Sequence, residues 1–261
     1  MAKSTQTNEI FYQSLNPSAK SAVVLIHGAL VSGNDWDLVK PHLNDYHLLI
    51  PDSPGHGRSV NLPFSVEGAA DHIARLISTQ AKGGKAHIVG HSLGSKVAIR
   101  LAERHPEVVH TALVSGYEVY PGLSSAATPY IFWTMNRIND AIPRPLIRWA
   151  MDGAEIGRTA KVPFSLYRQI SEVTTSSWPE PWPARTLVIA AGKGEWYLPS
   201  YDHPEDAQKL AGIGKGLNAG TIAVTHPLMR HPWNRQAPAL FADTIRAWVE
   251  GKDLPEGFVP L

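Results

Sequence analysis

The sequence predicts an α/β protein whose doubly wound, mostly parallel sheet carries an inserted helical cap. Two observations predict the sheet: short apolar runs recur along the chain, and amphipathic helical patterns lie between several of them. A third predicts the insertion, because residues 119–184 contain helical patches and many prolines but no convincing strand. We therefore expect a core formed by residues 1–118 and 185–261, and a helical cap or lid formed by residues 119–184.

Six apolar runs are predicted to be buried strands. Each run is bounded by Gly, Pro, Asp or Ser, and its continuous apolar character is typical of parallel strands that are covered on both faces. The runs span residues 22–26, 47–50, 86–89, 111–114, 186–190 and 221–224.

Helical patterns separate several of these runs. Apolar residues recur at helical spacing, so that Ile73 and Ile77 fall on one stripe of the first helix, and Gly251 ends the last one. The patterns span residues 66–80, 96–104 and 237–250.

The predicted cap and its borders are rich in aromatic residues, and its helical patches lie around residues 131–142 and 146–151. Any single ring is expected to pack the cap onto the sheet, but as a set the rings favour an apolar pocket beneath it. The set comprises Tyr117, Tyr120, Tyr130, Phe132, Trp133, Trp149, Tyr167, Trp178 and Trp182.

Composition narrows the function classes. With 24 Lys and Arg against 23 Asp and Glu, and no basic run, the chain is not expected to bind nucleic acid. The absence of cysteine excludes zinc–thiolate sites, iron–sulfur clusters and cysteine nucleophiles. Because the N-terminus lacks a signal-peptide core and no stretch approaches the ~18 apolar residues of a membrane span, we expect a cytoplasmic protein.

The motif GHSLG at residues 90–94 predicts a nucleophile. It lies between the strand predicted at 86–89 and a helix beginning near Ser95, which is the strand–turn–helix context of a nucleophile elbow. The tight turn holds Ser92 in a strained conformation, and flanking glycines avoid clashes with neighbouring elements. Ser92 is thereby lifted to a helix N-terminus, where the dipole favours developing negative charge.

With this motif, the chain resembles the α/β-hydrolase superfamily, in its compact branch with a helical cap, over nearly its whole length. Residues 24–29, VLIHGA, are similar to the family's strand followed by His-Gly, and the loop DSPGHGRS at 52–59 is similar to its D-x-P-G-x-G-x-S loop. The resemblance implies that the backbone N–H groups of Ala29 and Leu93 form an oxyanion hole. It also implies that the 52–59 loop is structural and not catalytic.

The chain order of the superfamily's triad, serine then acid then histidine, implies a histidine base near the C-terminus. His231 is the preferred candidate because Pro238 follows seven residues later, similar to the family's H-x6-P spacing. His226, at the end of a predicted strand, is the alternative. The family usually has Gly before this histidine, whereas this chain has Arg230.

Three carboxylates are candidates for the acid. Residues 192–199, GKGEWYLP, are similar to the family's G-x-x-D-x-x-x-P, with Glu195 at the Asp position, so Glu195 is preferred. A glutamate can hydrogen-bond the imidazole and stabilise the imidazolium as well as an aspartate. Glu118, just past the strand at 111–114, and Asp202, a few residues beyond Pro199, stay open as alternatives.

These residues predict acyl transfer to water through a Ser92–His231–Glu195 triad and an acyl-enzyme. The resemblance disfavours haloalkane dehalogenase and epoxide hydrolase chemistry, which needs aspartate at the position of Ser92. A small, fairly apolar or aromatic ester, lactone or thioester is the expected substrate. Lyase, cyclase or C–C bond cleavage chemistry, and a small-molecule binding role without turnover, stay open as alternatives.

No cofactor or metal is expected, because the sequence has neither nucleotide-binding glycine motifs nor histidines at metal-ligand spacing. Both a monomer and a homodimer stay open.

Overall fold

The computed structural model describes residues 9–119, 125–157, 159, 162–174, 178–194 and 202–261. Its strands are β1 Tyr12–Leu15, β2 Ala22–Ile26, β3 His47–Pro51, β4 Ala86–His91, β5 Val109–Ser115, β6 Arg185–Ala191, β7 Ile222–His226 and β8 Val259–Pro260. Its α-helices are α1 Val66–Gln80, α2 Leu93–Arg104, α3 Thr128–Ala141, α4 Arg144–Ala150, α5 Phe164–Thr174, α6 Pro204–Lys215, α7 Trp233–Gln236 and α8 Pro238–Glu250.

The strands form one sheet in the order β1-β3-β2-β4-β5-β6-β7-β8. The six predicted runs make its parallel centre, β2 to β7, which confirms the predicted fold class. The edge strands were not predicted: β1 pairs antiparallel with β3, and β8 pairs antiparallel with β7. Strand β1 is only partly buried, and β8 has two residues, so neither shows the continuous apolar run of a central strand.

The core lies on both faces of the sheet, because alternate residues of each strand point to opposite sides. In β2, Val24 and Ile26 belong to the cluster that α1 and α2 cover. Val23 and Leu25 belong to the cluster on the other face, where Phe241 of α8 is fully buried. Both faces of a central strand are therefore apolar, which explains the unbroken runs in the sequence.

The helices α3, α4 and α5 lie between β5 and β6, and we call residues 125–174 the helical insertion. It contacts the core through Leu166, which is buried and so close to Gly55 that a Cβ there would lie 2.9 Å from Leu166 Cδ1. The aromatic residues of the insertion are divided. Tyr167 is buried, but Tyr130, Trp133 and Trp149 are exposed, so these three do not line an enclosed pocket.

The sheet brings the ends of four parallel strands to one edge. His91 at the end of β4 pairs with Ser115 of β5, and Ala191 at the end of β6 pairs with His226 of β7. In open α/β sheets, ligands bind outside the carboxyl ends of the strands. The loops that leave this edge carry the candidate site.

Candidate active site

Ser92 occupies a strained turn between β4 and α2. Its backbone has φ 55° and ψ −121°, outside the regions that non-glycine residues normally adopt. The N–H of Ser92 donates to the carbonyl of Ser115 at 2.8 Å, which ties the turn to the end of β5. The helix begins at Leu93, slightly earlier than predicted, because the turn leads into α2 without a loop.

The glycines on both sides of this turn are required by close packing. A Cβ on Gly94 would clash with the carbonyl of Ile26, and one on Gly90 would clash with the carbonyl of Gly94. Any side chain at either position would push α2 away from β2 and β4. The GxSxG pattern is therefore explained by the contacts of the elbow.

His231 and Asp202 form a close hydrogen-bonded pair at this edge of the sheet. The Nδ1–H of His231 donates to Asp202 Oδ1 at 2.5 Å, and the carboxylate of Asp202 is almost fully buried. Its second oxygen, Oδ2, accepts from the N–H of Ala191 at 2.9 Å. The N–H of Asp202 donates to the carbonyl of Ala191 at 2.8 Å. Two backbone contacts with the end of β6 thus fix the carboxylate that holds the imidazole.

The imidazole of His231 lies beside the end of β5, to which the N–H of Ser92 is hydrogen-bonded. Gly116 follows Ser115, has φ 73°, and is so close to the ring that a Cβ would lie 2.6 Å from His231 Cε1. On another side, His91 Nε2–H donates to the carbonyl of His231 at 2.8 Å, and the two rings are 4.9 Å apart. His91, which precedes Ser92, and Gly116, which follows the hydrogen-bond partner of Ser92, therefore hold His231 in place.

The electrostatic environment favours the protonated form of His231. Burial alone would lower its pKa, but the charge of Asp202 and the hydrogen bond to it outweigh burial and raise the pKa above the ordinary value of 6.5. Glu118 also contributes to the raised pKa of His231. The unprotonated imidazole that a base requires is consequently favoured at alkaline pH.

Glu118 lies near the pair without replacing Asp202 in it. Burial raises the pKa of its carboxyl to about 7, and the backbone of His203, next to Asp202, hydrogen-bonds to it. Glu118 Oε1 is buried and has no hydrogen-bond partner among the described residues. Glu118 is thus an electrostatic neighbour of His231.

The two predicted oxyanion donors follow residues of the elbow or residues in contact with it. Gly28, which precedes Ala29, packs against the elbow, since a Cβ on Gly28 would lie 3.2 Å from Ser92 Cβ. Leu93 is the first residue of α2, where backbone N–H groups have no intrahelical partner. Between the described residues, neither the Ala29 nor the Leu93 amide donates a hydrogen bond.

Two of the other residues that the sequence singled out lie within the described part of the chain. His226 is buried at the end of β7, where its Nδ1 accepts a long hydrogen bond from the N–H of Leu228 and its ring packs against Phe258. Asp52 accepts hydrogen bonds from the backbone N–H groups of Gly33 and Arg58, so its carboxylate stabilises the 52–59 loop. Glu195, the preferred acid, lies outside the described residues.

Sequence reasoning missed the partner of Arg230. Its guanidinium is almost fully buried, and Nε donates to Asp152 Oδ2 at 2.5 Å. Asp152 follows α4 and also pairs with Lys193 at 2.9 Å. An arginine in the usual place of a glycine was the available signal, and the structure explains it as a link between the helical insertion and the residue before His231.

In the part of the chain that the structure describes, no group of three or more His, Asp or Glu side chains could hold a metal ion. Over the same residues, no helix has the length and apolar character needed to cross a bilayer.

Comparison with known proteins agrees with this architecture. The model of the alpha/beta hydrolase family matches residues 23–250. An AB hydrolase superfamily protein of Gibberella zeae is 35% identical over 255 residues, which cover 95% of this chain and 86% of that protein. The chain belongs to the alpha/beta hydrolase family.

Two solved structures illustrate the shared fold. Est816, an N-acyl homoserine lactone degrading enzyme, has a TM-score of 0.68 and 20% identity, covering 92% of this chain and 96% of its own. A thermophilic esterase from Thermogutta terrifontis has a TM-score of 0.68 and 17% identity, covering 93% of each chain. At these identities the likeness concerns the fold alone.

Proposed function

We propose that the protein is a serine hydrolase that cleaves an ester, lactone or thioester of a small, fairly apolar molecule. The observation that carries the proposal is the 2.5 Å hydrogen bond from His231 Nδ1–H to the buried Asp202 carboxylate, at the sheet edge where the elbow presents Ser92. In this proposal the acid is Asp202, because its carboxylate holds the nitrogen of His231 that a triad acid must hold.

The reaction proceeds by two acyl transfers. Unprotonated His231 takes the hydroxyl proton of Ser92 on Nε2 while the serine oxygen bonds to the substrate carbonyl carbon. The tetrahedral intermediate collapses, the bond to the leaving oxygen or sulfur breaks, and His231 returns the proton to that atom. Water then attacks the acyl-enzyme by the same proton transfers and releases the carboxylic acid.

The backbone amides of Ala29 and Leu93 stabilise the oxyanion of each tetrahedral intermediate. A hydrogen bond from one such donor is worth roughly 10²–10³ in rate, because the donor is already oriented before the charge develops. The N-terminus of α2 adds its dipole at the same point. Asp202 keeps the proton of neutral His231 on Nδ1, so that Nε2 is free to accept the proton of Ser92.

The choice of an ester or lactone rests on two points. Serine as nucleophile suits carbonyl substrates that form an acyl-enzyme. A lactone-degrading enzyme and an esterase share this fold, so the fold can accommodate these bond classes. Within this range, an aryl ester or a lactone is the preferred substrate, and the helical insertion is proposed to cover it as a cap.

The test combines a fluorophosphonate probe with turnover of aryl esters and lactones. Labelling is expected at Ser92 and should be lost in Ser92→Ala and His231→Gln, while His226→Gln, a matched buried histidine at the same sheet edge, should label normally. When turnover is measured in water enriched in the heavy oxygen isotope, the carboxylic acid product should contain that isotope. A product without added water would indicate lyase or cyclase chemistry, and an unlabelled but folded protein would contradict an activated serine.

A further inference from the structure

The amphipathic helix α3 turns most of its large apolar residues away from the protein core. Its less exposed side includes Phe132 but carries hydrogen-bonded polar residues: Asn136 Nδ2 donates to the hydroxyl of Tyr167 at 2.8 Å, and Asp140 Oδ1 accepts from the N–H of Thr159 at 3.1 Å. Its exposed side carries large apolar residues, such as Ile138 at 59% exposure. A surface helix of a globular protein normally turns its apolar stripe towards the core.

The following helix, α4, also exposes large apolar side chains. Its Trp149 is 74% exposed, the highest value among the large apolar side chains of the described residues. Seven of the eleven such side chains that are exposed lie on α3 and α4, and we call these seven the apolar face. They are Tyr130, Ile131, Trp133, Met135, Ile138, Leu146 and Trp149. Concentrated exposed apolar surface of this kind marks an interaction site.

The charges on the apolar face decide between two occupants. Arg137 is exposed, lies 5.4 Å above the ring of Trp133 and forms no ion pair within the described chain. The only carboxylate in α3 and α4 is Asp140, on the less exposed side. In a symmetric dimer the face would meet itself, and α3 and α4 would offer Arg137 no exposed carboxylate, while the exposed Glu155 beyond α4 is already paired with Arg148 at 3.3 Å. The face is therefore poorly matched to a second copy of this chain.

An anionic lipid surface matches the face in both respects. Aromatic rings and aliphatic side chains enter the boundary between headgroups and acyl chains, where Trp and Tyr are favoured. A guanidinium beside them meets lipid phosphate through charge-assisted hydrogen bonds. Such a helix lies in the membrane surface and does not cross it.

We propose that α3 and α4 dock the protein on an anionic phospholipid bilayer through the apolar face, with Arg137 at the level of the phosphates. The link from Asp152, which follows α4, to Arg230, which precedes His231, connects this face with the candidate active site. The proposal goes beyond the proposed function and does not depend on it, because docking needs no turnover.

Vesicle flotation of the full chain tests the proposal. Vesicles of phosphatidylcholine alone are compared with an equimolar mixture of phosphatidylcholine and phosphatidylglycerol, and the wild type is expected to float mainly with the mixture. Ile138→Glu should lower the partition coefficient about tenfold, from the lost apolar insertion. Arg137→Ala should lower it about fivefold on the mixture only. The matched control is Leu217→Glu, outside the insertion, since Leu217 is 62% exposed and should float like the wild type.

Several results would overturn the proposal. One is failure of the wild type to float, or equal flotation with neutral and anionic vesicles. Another is equal loss in Ile138→Glu and Leu217→Glu. A lipid-free dimer in light scattering that Ile138→Glu dissociates would show that a second copy covers the face. Ser92→Ala should float like the wild type although it should not hydrolyse a water-soluble aryl ester, so the two proposals fail independently.

Discussion

Replacing Asp202 by Asn tests the proposed acid at the atom that defines it. In the wild type, Asp202 Oδ1 accepts from His231 Nδ1–H at 2.5 Å, and Oδ2 accepts from the N–H of Ala191 at 2.9 Å. An asparagine can keep its amide oxygen on Ala191, which directs its NH₂ group at His231. Neutral His231 must then carry its proton on Nε2, the nitrogen that has to accept the proton of Ser92.

The expected loss follows from this change of tautomer. Aspartate-to-asparagine substitution in a serine protease triad lowers kcat about 10⁴-fold, and a similar loss is expected here. It corresponds to about 5.5 kcal/mol in the activation free energy, at about 1.36 kcal/mol for each factor of ten. The free energy of unfolding should change far less, by about 1 kcal/mol, because the contacts with Ala191 persist.

The assay is kcat/KM for a water-soluble aryl ester, with the thermal unfolding midpoint measured on the same samples. Glu195→Gln serves as the comparison, and it should remain close to wild type. If Asp202→Asn keeps activity within about tenfold while Glu195→Gln loses about 10³-fold or more, the acid is Glu195 and the reasoning from the hydrogen bond is wrong.

Two further predictions concern the surroundings of His231. Because the Asp202 charge raises the pKa of His231 and only the neutral ring accepts a proton, kcat/KM should rise with pH, and the midpoint of that rise should lie above pH 6.5. Glu118→Gln removes a negative charge that also raises the pKa of His231, so it should move the midpoint to lower pH. An unmoved midpoint would refute the coupling. Gly116→Ala should lower kcat at least about 10²-fold, since its Cβ would displace the imidazole. Gly83→Ala, with a similar φ of 77° but no neighbour within 4 Å, should carry the backbone strain alone and keep its activity.

The central sheet could be predicted because its signal is local. Strands β2 to β7 are apolar on both faces, so each appears as a continuous run in the sequence. The edge strands lack this signal, since β8 is held by pairing with β7, including the hydrogen bond from Leu261 N–H to the carbonyl of Ala223. Their position depends on a neighbour that is distant in sequence.

The nucleophile could also be predicted from local sequence. The elbow is a contiguous turn whose glycines are required by contacts within a few residues and with β2, so GHSLG indicates both the conformation and Ser92. The histidine was indicated less directly, by its spacing to Pro238. The acid was predicted from the resemblance of residues 192–199 to the family's G-x-x-D-x-x-x-P, which places Glu195 at the Asp position, and this local pattern carries no information about which carboxylate contacts His231.

What the sequence by itself determined was the doubly wound sheet, the family resemblance and the strained serine, because each follows from periodicity or from a contiguous motif. Only the tertiary structure decided that Asp202 meets His231, because that contact depends on where the end of β6 anchors the carboxylate. It also decided that α3 exposes its apolar side, since hydrogen bonds of Asn136 and Asp140 hold the polar side inward. A helical period gives the spacing of the two sides, but their orientation is set by partners elsewhere in the chain.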